Sequence, residues 1–458
     1  MTTAAARARQ IAGRASTDNG AAWAFRLGGS IGLLVVVIVS RNQWFIRDDW
    51  ALVITRNSVR NAVGWREWLF APQDGHWLTV PVLIYRAIHN VFGLGSYLPF
   101  LVPNLLAHLA AVLLVRVICR RCGVSAWTTT LVCLTLLVFG AGWENILFAV
   151  QISYNLSLVA FLAQVVLVDH DGPPDRRDVV GAALAIVGVM SSGFAPIFIG
   201  GIGLLLILRK RWWALAIAVI PQGLVYAWWY IFWESGSSSA VPSGSKALVP
   251  AFVAQGLGST MRSLVTLPGV AGIALLGTIG IALWRGSGWR AQSILLALWG
   301  TAAVMLLGIG YERVGLGVPF AGSSRYQYMT AMLLAPAFAL SVDQLRRLSP
   351  PALWAGRIVM AVAIVVNTGW LFSSGSDFSA RAHYERDTFE LSAGSGLVGQ
   401  ADPNRAPEPN SPDVTVRSLP WLVDEGAINE RVPANQAEVD RARVALGLQP
   451  AASPVPVP

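Results

Sequence analysis

GGSIGLLVVVIVSRNQWFIRDDW, residues 28–50, decides how this chain is read: an uncharged apolar run from Gly28 to Ser40 leads within a few residues to Arg47-Asp48-Asp49-Trp50. The run has the character of a membrane-spanning helix of ~20 residues. Two adjacent carboxylates therefore stand where that helix would meet water, and acids so close to a bilayer are usually functional. The plainer reading is a solvated span end with Asp48 or Asp49 paired to Arg47.

Composition agrees with a membrane protein. The chain has 458 residues, 54% of them hydrophobic and 13% charged, and a mean hydropathy of +0.55, which together place most of it in lipid. Arg7, Arg9 and Arg14 precede the first run as in a signal peptide, but no A-x-A-like cleavage site follows, so the expectation is an uncleaved anchor with its N-terminus inside. Further apolar runs cover roughly 98–118, 126–142, 146–168, 179–193, 195–208, 212–233, 268–284, 291–309, 326–342 and 354–373. The fold class expected is an all-α polytopic membrane protein with about eleven transmembrane helices.

Placement of basic residues tests the topology. Alternating the spans gathers Arg116, Arg120, Arg121, Arg176, Arg177, Arg209, Lys210, Arg211, Arg285, Arg290, Arg346, Arg347 and Arg357 on one side. This holds only if Trp77–Phe92 does not cross but lies along the outer surface, as an interfacial helix in a first external loop of residues 41–97. Six arginines in that loop (Arg41, Arg47, Arg56, Arg60, Arg66 and Arg86) strain the rule. Phosphates held at the surface would account for them, since guanidinium forks match phosphate oxygens; anionic headgroups would do so equally.

The expected domains are a cytoplasmic N-terminus (1–22), a transmembrane domain (23–373) and an extracytoplasmic proline-rich tail (374–458) with twelve acids against seven arginines. Residues 401–412 and 450–458 read as disordered, whereas 435–448 has helical spacing. The arginine-rich, lysine-poor basic set fits a GC-rich bacterium more than a nucleic-acid partner. Cys119-Arg120-Arg121-Cys122 lacks the further ligands of a zinc site. No Walker A or Rossmann fingerprint is present, so soluble nucleotides are poor fuel candidates.

The membrane domain's acids on the expected external side are few, Asp48, Asp49, Glu67, Asp74, Glu144, Glu234 and Glu312. Those at span ends or beside aromatic and histidine residues are Asp48-Asp49, Asp74-Gly75-His76-Trp77, Glu144 in Gly142-Trp143-Glu144-Asn145, and Glu312-Arg313. A site cut off from ATP by a bilayer has to use an activated lipid substrate. Here the chain resembles the GT-C superfamily of membrane glycosyltransferases, which use polyprenyl-phosphate sugars. The resemblance covers about residues 25–345. It rests on Asp48-Asp49 heading the first external loop, Gly75-His76-Trp77 before a surface helix, the basic end of 98–121, Glu144, and Arg325-Tyr326-Gln327-Tyr328 entering a late span.

The resemblance implies transfer of a sugar from a polyprenyl-phosphate donor to an extracytoplasmic glycan, lipid or protein acceptor, by an inverting single displacement in a multi-pass plasma-membrane enzyme. Asp48 or Asp49 would be the general base, and Glu144 would orient an acceptor hydroxyl. His76, Asp74, Arg313 and Arg325 would contact donor or acceptor, with arginine stabilising the departing phosphate. Trp50, Trp77, Tyr326 and Tyr328 would offer flat faces, unless they form an interfacial belt. No cluster has a strong metal-ligand count; a divalent cation on Asp48, Asp49 and Glu144 is the one set to examine. The alternative is a polytopic transporter or lipid-linked-sugar flippase, although inverted repeats and broken helices are not evident in the sequence. A scaffold whose tail recruits envelope partners is a third reading.

Overall fold

The computed structural model describes residues 2–234, 244–284, 286 and 288–448; the proline-rich piece from 450 to 458 and Arg285 lie outside them. Among the described residues the secondary structure is helical, with one isolated bridge, Gln73 to His76. Seven helices are long and apolar enough to cross a membrane: Asp18–Ser40, Leu98–Arg121, Ala149–Val168, Trp212–Glu234, Trp289–Leu316, Ser324–Arg347 and Pro350–Gly394. Two further pairs are bent, Ala126–Leu137 with Gly140–Leu147 by 42° and Lys246–Val265 with Pro268–Leu283 by 112°, which brings the total to nine.

Among the described residues the spans thus number seven to nine, and the expected count of about eleven is not reached. The runs 179–193 and 195–208 form helices Arg176–Val189 and Ala195–Leu208 of 14 residues each, roughly 21 Å long at 1.5 Å per residue against a hydrocarbon core of ~30 Å. The run 77–92 is a helix of 14 residues, Thr79–Phe92. Broken helices, not evident in the sequence, are present; at the sharper break Thr266 takes a left-handed conformation (φ 56°) just before Pro268.

Two compact units emerge. The first comprises Met1–Val39, Pro72–Leu78 and Asn104–Ser374; the second comprises Ser40–Ala71, Thr79–Pro103 and Gly375–Pro458.

In the first unit, Gly28 and Gly32 lie one turn apart, and a Cβ at either would come within 2.8 Å of Leu134 or Leu137. Small residues here let two helix backbones approach, the packing that serves where lipid removes the hydrophobic drive. The break after Leu137 frees backbone carbonyls that a membrane interior cannot hydrate. His108 Nε2 donates to Leu137 O (3.0 Å), and Asn104 Nδ2 donates to Asn145 O (2.9 Å) and, at 3.3 Å, to the carbonyls of Ile146 and Phe148. Asn155 Nδ2 donates to Asn145 O (2.7 Å) and Asn104 Oδ1 (2.8 Å). This network holds the turn that carries Glu144. At the basic ends, buried Asp169 draws in Arg209 (2.7 Å), Arg290 (3.0 Å) and Arg121 (3.1 Å). Its carboxyl is held below the ordinary range although burial works the other way, because the arginine hydrogen bonds outweigh it.

The second unit includes most of the expected tail. The 45-residue helix Pro350–Gly394 runs past residue 373 into it. Residues 401–412 contain buried Pro407, Glu408 and Ser411, and 436–445 forms the helix Gln436–Ala445, capped by the Asn435 side chain.

Candidate functional site

In the second unit the acid pair sits on a tight turn. Asp49 N donates to Ile46 O (3.2 Å), closing a four-residue turn in which Arg47 has φ 51° and ψ −123°. That is the first central position of a type II′ turn, where glycine is normal. An arginine there holds about 1–3 kcal/mol of backbone strain. The turn separates its two aspartates: Asp48 is exposed and Asp49 is fully buried.

Asp49 is also committed. Tyr85 donates its hydroxyl to Oδ1 (2.5 Å) and Tyr97 donates to Oδ2 (2.9 Å). Burial raises its pKa from 3.8 to about 7, against the lowering effect of the tyrosine hydrogen bonds, and the Asp48 charge adds a small further push. Around it Phe45 meets Trp50 (5.2 Å), Tyr97 (4.9 Å) and Phe100 (5.0 Å). This aromatic packing seats the turn, and Trp50, at 0% exposure, is part of it and not a face for sugar. Arg56 is likewise committed: its guanidinium donates to the carbonyl of Ala71 (2.6 Å) and, more distantly, to those of Glu67 and Trp68, closing the end of the helix Trp65–Phe70.

In the first unit a different turn carries His76. Gln73 and His76 exchange both backbone hydrogen bonds (3.0 and 2.9 Å) across Asp74 and Gly75, whose φ values are 50° and 76°. Two positive φ values in sequence make a type I′ turn, for which Asp-Gly is a favoured pair. Asp74 is exposed on it. The His76 ring is fixed at both nitrogens: Gly193 N donates to Nδ1 (3.2 Å), which places the proton on Nε2, 3.4 Å from the Tyr154 hydroxyl. A Cβ at Gly193 would fall 2.2 Å from His76 Nδ1, so glycine is required there for space. Removal from solvent, then the nearby Arg313 charge, lowers the His76 pKa to about 4; Arg325 adds to this and Asp74 opposes it. The charges felt at His76 are thus of both signs, Arg313 and Arg325 against Asp74.

Glu144 and Arg325 meet through the backbone. Arg325 N donates to Glu144 Oε2 (3.3 Å), while Glu144 N donates to Ser324 Oγ (3.1 Å). The carboxylate thus sits at the N-terminus of the helix Ser324–Gln344, where negative charge is stabilised. Arg325 also lies over the Tyr326 ring (5.7 Å). Three expected binding faces turn inward. Trp77 is 1% exposed and stacks on Trp229 at 5.3 Å and 4°, Tyr326 is 3% exposed, and fully buried Tyr328 donates to His108 Nδ1 (2.8 Å).

The suggested divalent-cation set does not fit, since both Asp49 oxygens accept tyrosine hydroxyls and Glu144 Oε2 caps a helix. Among the described residues, the one group close enough for a metal is His170, Asp175 and Asp178. It is already threaded by Arg177 (2.7 Å from Asp175) and Arg211 (3.3 Å from Asp178), which disfavours a cation.

Sequence reasoning missed Tyr85, Tyr97, Gly193, Asn104, His108 and Asn155. For Asn104, His108 and Asn155 the signal was available, as polar groups inside apolar runs. For Tyr85, Tyr97 and Gly193 it was not, because only the folded chain brings them to their partners.

No protein-family model matches the sequence, and neither does any curated protein. Solved structures do resemble it in fold. ArnT from Cupriavidus metallidurans in the apo state superposes with a TM-score of 0.53 and 12% identity, covering 93% of this chain and 88% of that one. The same protein bound to undecaprenyl phosphate gives 0.50 and 12% over the same shares. The chain therefore shares the fold of ArnT, an all-α fold with several membrane-spanning helices.

Proposed function

We propose that this protein is an inverting glycosyltransferase of the GT-C type that moves a sugar from a polyprenyl-phosphate donor to a hydroxyl of an extracytoplasmic acceptor, with Asp48 as general base. The observation that carries this reading is the division of labour at residues 48 and 49. An exposed carboxylate stands on a strained turn, and its neighbour is buried, hydrogen-bonded and spent on structure. In the reaction the acceptor hydroxyl oxygen attacks the anomeric carbon as Asp48 takes its proton, and the bond from that carbon to the phosphate oxygen breaks. Polyprenyl phosphate leaves with the electron pair. Within the first unit, Arg313 and Arg325 are proposed as cations that a phosphate group would meet. ArnT is described with undecaprenyl phosphate bound, which supports a polyprenyl phosphate as the ligand class. The expected topology, with residues 41–97 and the tail outside the plasma membrane, puts Asp48 on the acceptor side.

The test is transfer in isolated membranes from a polyprenyl-phosphate sugar, following release of polyprenyl phosphate. Asp48→Asn should lower it by about 10²-fold or more and Asp49→Asn should not; intact transfer in Asp48→Asn sinks the assignment. A transporter or flippase reading draws on the 112° break at residues 265–268, since broken helices mark such proteins. Proteoliposomes separate the two: a flippase moves the lipid-linked sugar between leaflets without cleaving it.

A further inference from the structure

The C-terminal tail is tied to the backbone just before Asp48. Arg47 N, the amide of the strained residue, donates to Ser411 Oγ (2.8 Å). The Ser411 hydroxyl in turn donates to Glu385 Oε2 (2.6 Å). Ser411 and Glu385 are 0% and 1% exposed, so water does not substitute for either link. Ser411 is itself set by a turn in which its amide donates to Glu408 O (3.1 Å) and its carbonyl accepts from Val414 N (3.1 Å). Two residues on, Asp413 accepts the Thr55 hydroxyl beyond the far side of the acid pair. The tail therefore grips the segment 47–55 at both ends.

We infer that Ser411, oriented by Glu385, is a positioning residue that holds Arg47 in its left-handed conformation and thereby aims Asp48 outward. Strained backbone persists only where its surroundings over-determine it, and the Arg47 amide donates to a side chain of the tail, Ser411. A serine hydroxyl suits the task because it accepts from one partner and donates to another at once. Without the link, Arg47 is free to relax to negative φ, and the peptide rotation moves Asp48. The role rests on the reading of Asp48 as base, and gives the tail a part in that same chemistry.

The experiment uses the full-length protein in detergent or membranes and steady-state transfer from a polyprenyl-phosphate sugar. Ser411→Ala should lower kcat by about tenfold to a hundredfold, as misplacement of a reacting group by ~1 Å does, with donor KM nearly unchanged. Ser411→Thr, which keeps the hydroxyl, should retain activity. The decisive variant is Arg47→Gly: glycine needs no lock at positive φ, so Ser411→Ala in that background should cost about threefold or less. Wild-type kcat in Ser411→Ala overturns the inference, as does an undiminished loss in the Arg47→Gly background. If Ser411→Ala does not yield folded protein, Ser411→Cys carries the same expectations, because a thiol keeps the volume and weakens both hydrogen bonds. An active Asp48→Asn variant sinks the catalytic reading whatever Ser411 does; an inactive one beside a fully active Ser411→Ala sinks the tail's role alone.

Discussion

Two tight turns carry the residues of greatest interest, and they are built on opposite principles. At Asp74-Gly75 the residues suit the conformation: Asp-Gly is what a type I′ turn calls for, and His76 follows from it with little strain. At Arg47 the residue opposes the conformation, and the hydrogen bond that its amide donates to Ser411 holds what local preference would undo. A turn that forms by itself needs only its own sequence. One that must be held can be released, and its geometry depends on distant parts of the chain. The difference suggests that precision matters more at Asp48 than at Asp74.

The largest expected effect comes from removing the group that the strained turn presents. Asp48→Asn should reduce transfer by about 10²- to 10⁴-fold, the usual worth of a general base, measured as polyprenyl phosphate released per minute. Asp49→Asn should cost far less activity, because that group meets tyrosine hydroxyls and not substrate. Equal losses in the two variants would erase the distinction between exposed and buried aspartate.

Next in size is a perturbation of the unstrained turn's cargo. Gly193→Ala puts a methyl group where His76 Nδ1 lies and should displace the ring. A loss of about tenfold to a hundredfold in transfer is expected if the imidazole contacts donor, with a rise in donor KM as the signature. Unchanged donor KM would leave His76 a purely structural residue.

Stability measurements then compare the turns directly. Gly75→Ala forces a Cβ onto φ 76° and should destabilise by about 1 kcal/mol. Arg47→Gly removes a Cβ from φ 51°, and the relief should offset, to within about 1 kcal/mol, the entropy that glycine adds to the unfolded chain. Thermal unfolding in detergent reads both. A large loss for Arg47→Gly would mean that the arginine side chain, and not its backbone, is what the turn keeps.

A further comparison is in the pH profile, where the two loops pull in opposite directions. Asp49 has its pKa raised from 3.8 to about 7, so the folded state holds that proton more tightly than the unfolded one. Its contribution to stability is complete below about 4 and is lost as pH rises to about 7. His76, lowered from 6.5 to about 4, contributes fully above about 6.5 and loses that contribution as pH falls toward 4. Asp49→Asn should therefore steepen the rise of Tm between pH 4 and 7, and His76→Gln should flatten it. Identical slopes in both variants would contradict the two environments.

Much of the architecture was legible because the bilayer imposes a length. Apolar runs gave the helical class and the site of Asp48-Asp49 at the end of the first. The structure departs from a set of straight crossings: the helices 176–189 and 195–208 have 14 residues each, and the run from 126 breaks at residues 138–140. The Asp-Gly signature of a tight turn was present at Asp74-Gly75, though Asp74 was read as a binding group. Arg47 could not be read at all, since a II′ turn with arginine in glycine's place goes against every local preference. Its cause lies more than 300 residues away in the chain. The buried state of Asp49 was hidden for the same reason, through Tyr85 and Tyr97.

The break after Leu137 has a bearing on biogenesis. As the ribosome delivers residues 126–151, the carbonyls of Leu137, Asn145 and Ile146 would enter the bilayer without these donors unless His108 and Asn104 are already in place. Those two belong to the helix Leu98–Arg121, which is made first, and Asn155 follows directly after. Synthesis order thus supplies the donors before the acceptors need them. Asn104→Ala would be felt first as poor membrane integration of the next segment during translation, a defect that glycosylation-site or protease mapping of truncated chains would detect before any finished protein is assayed.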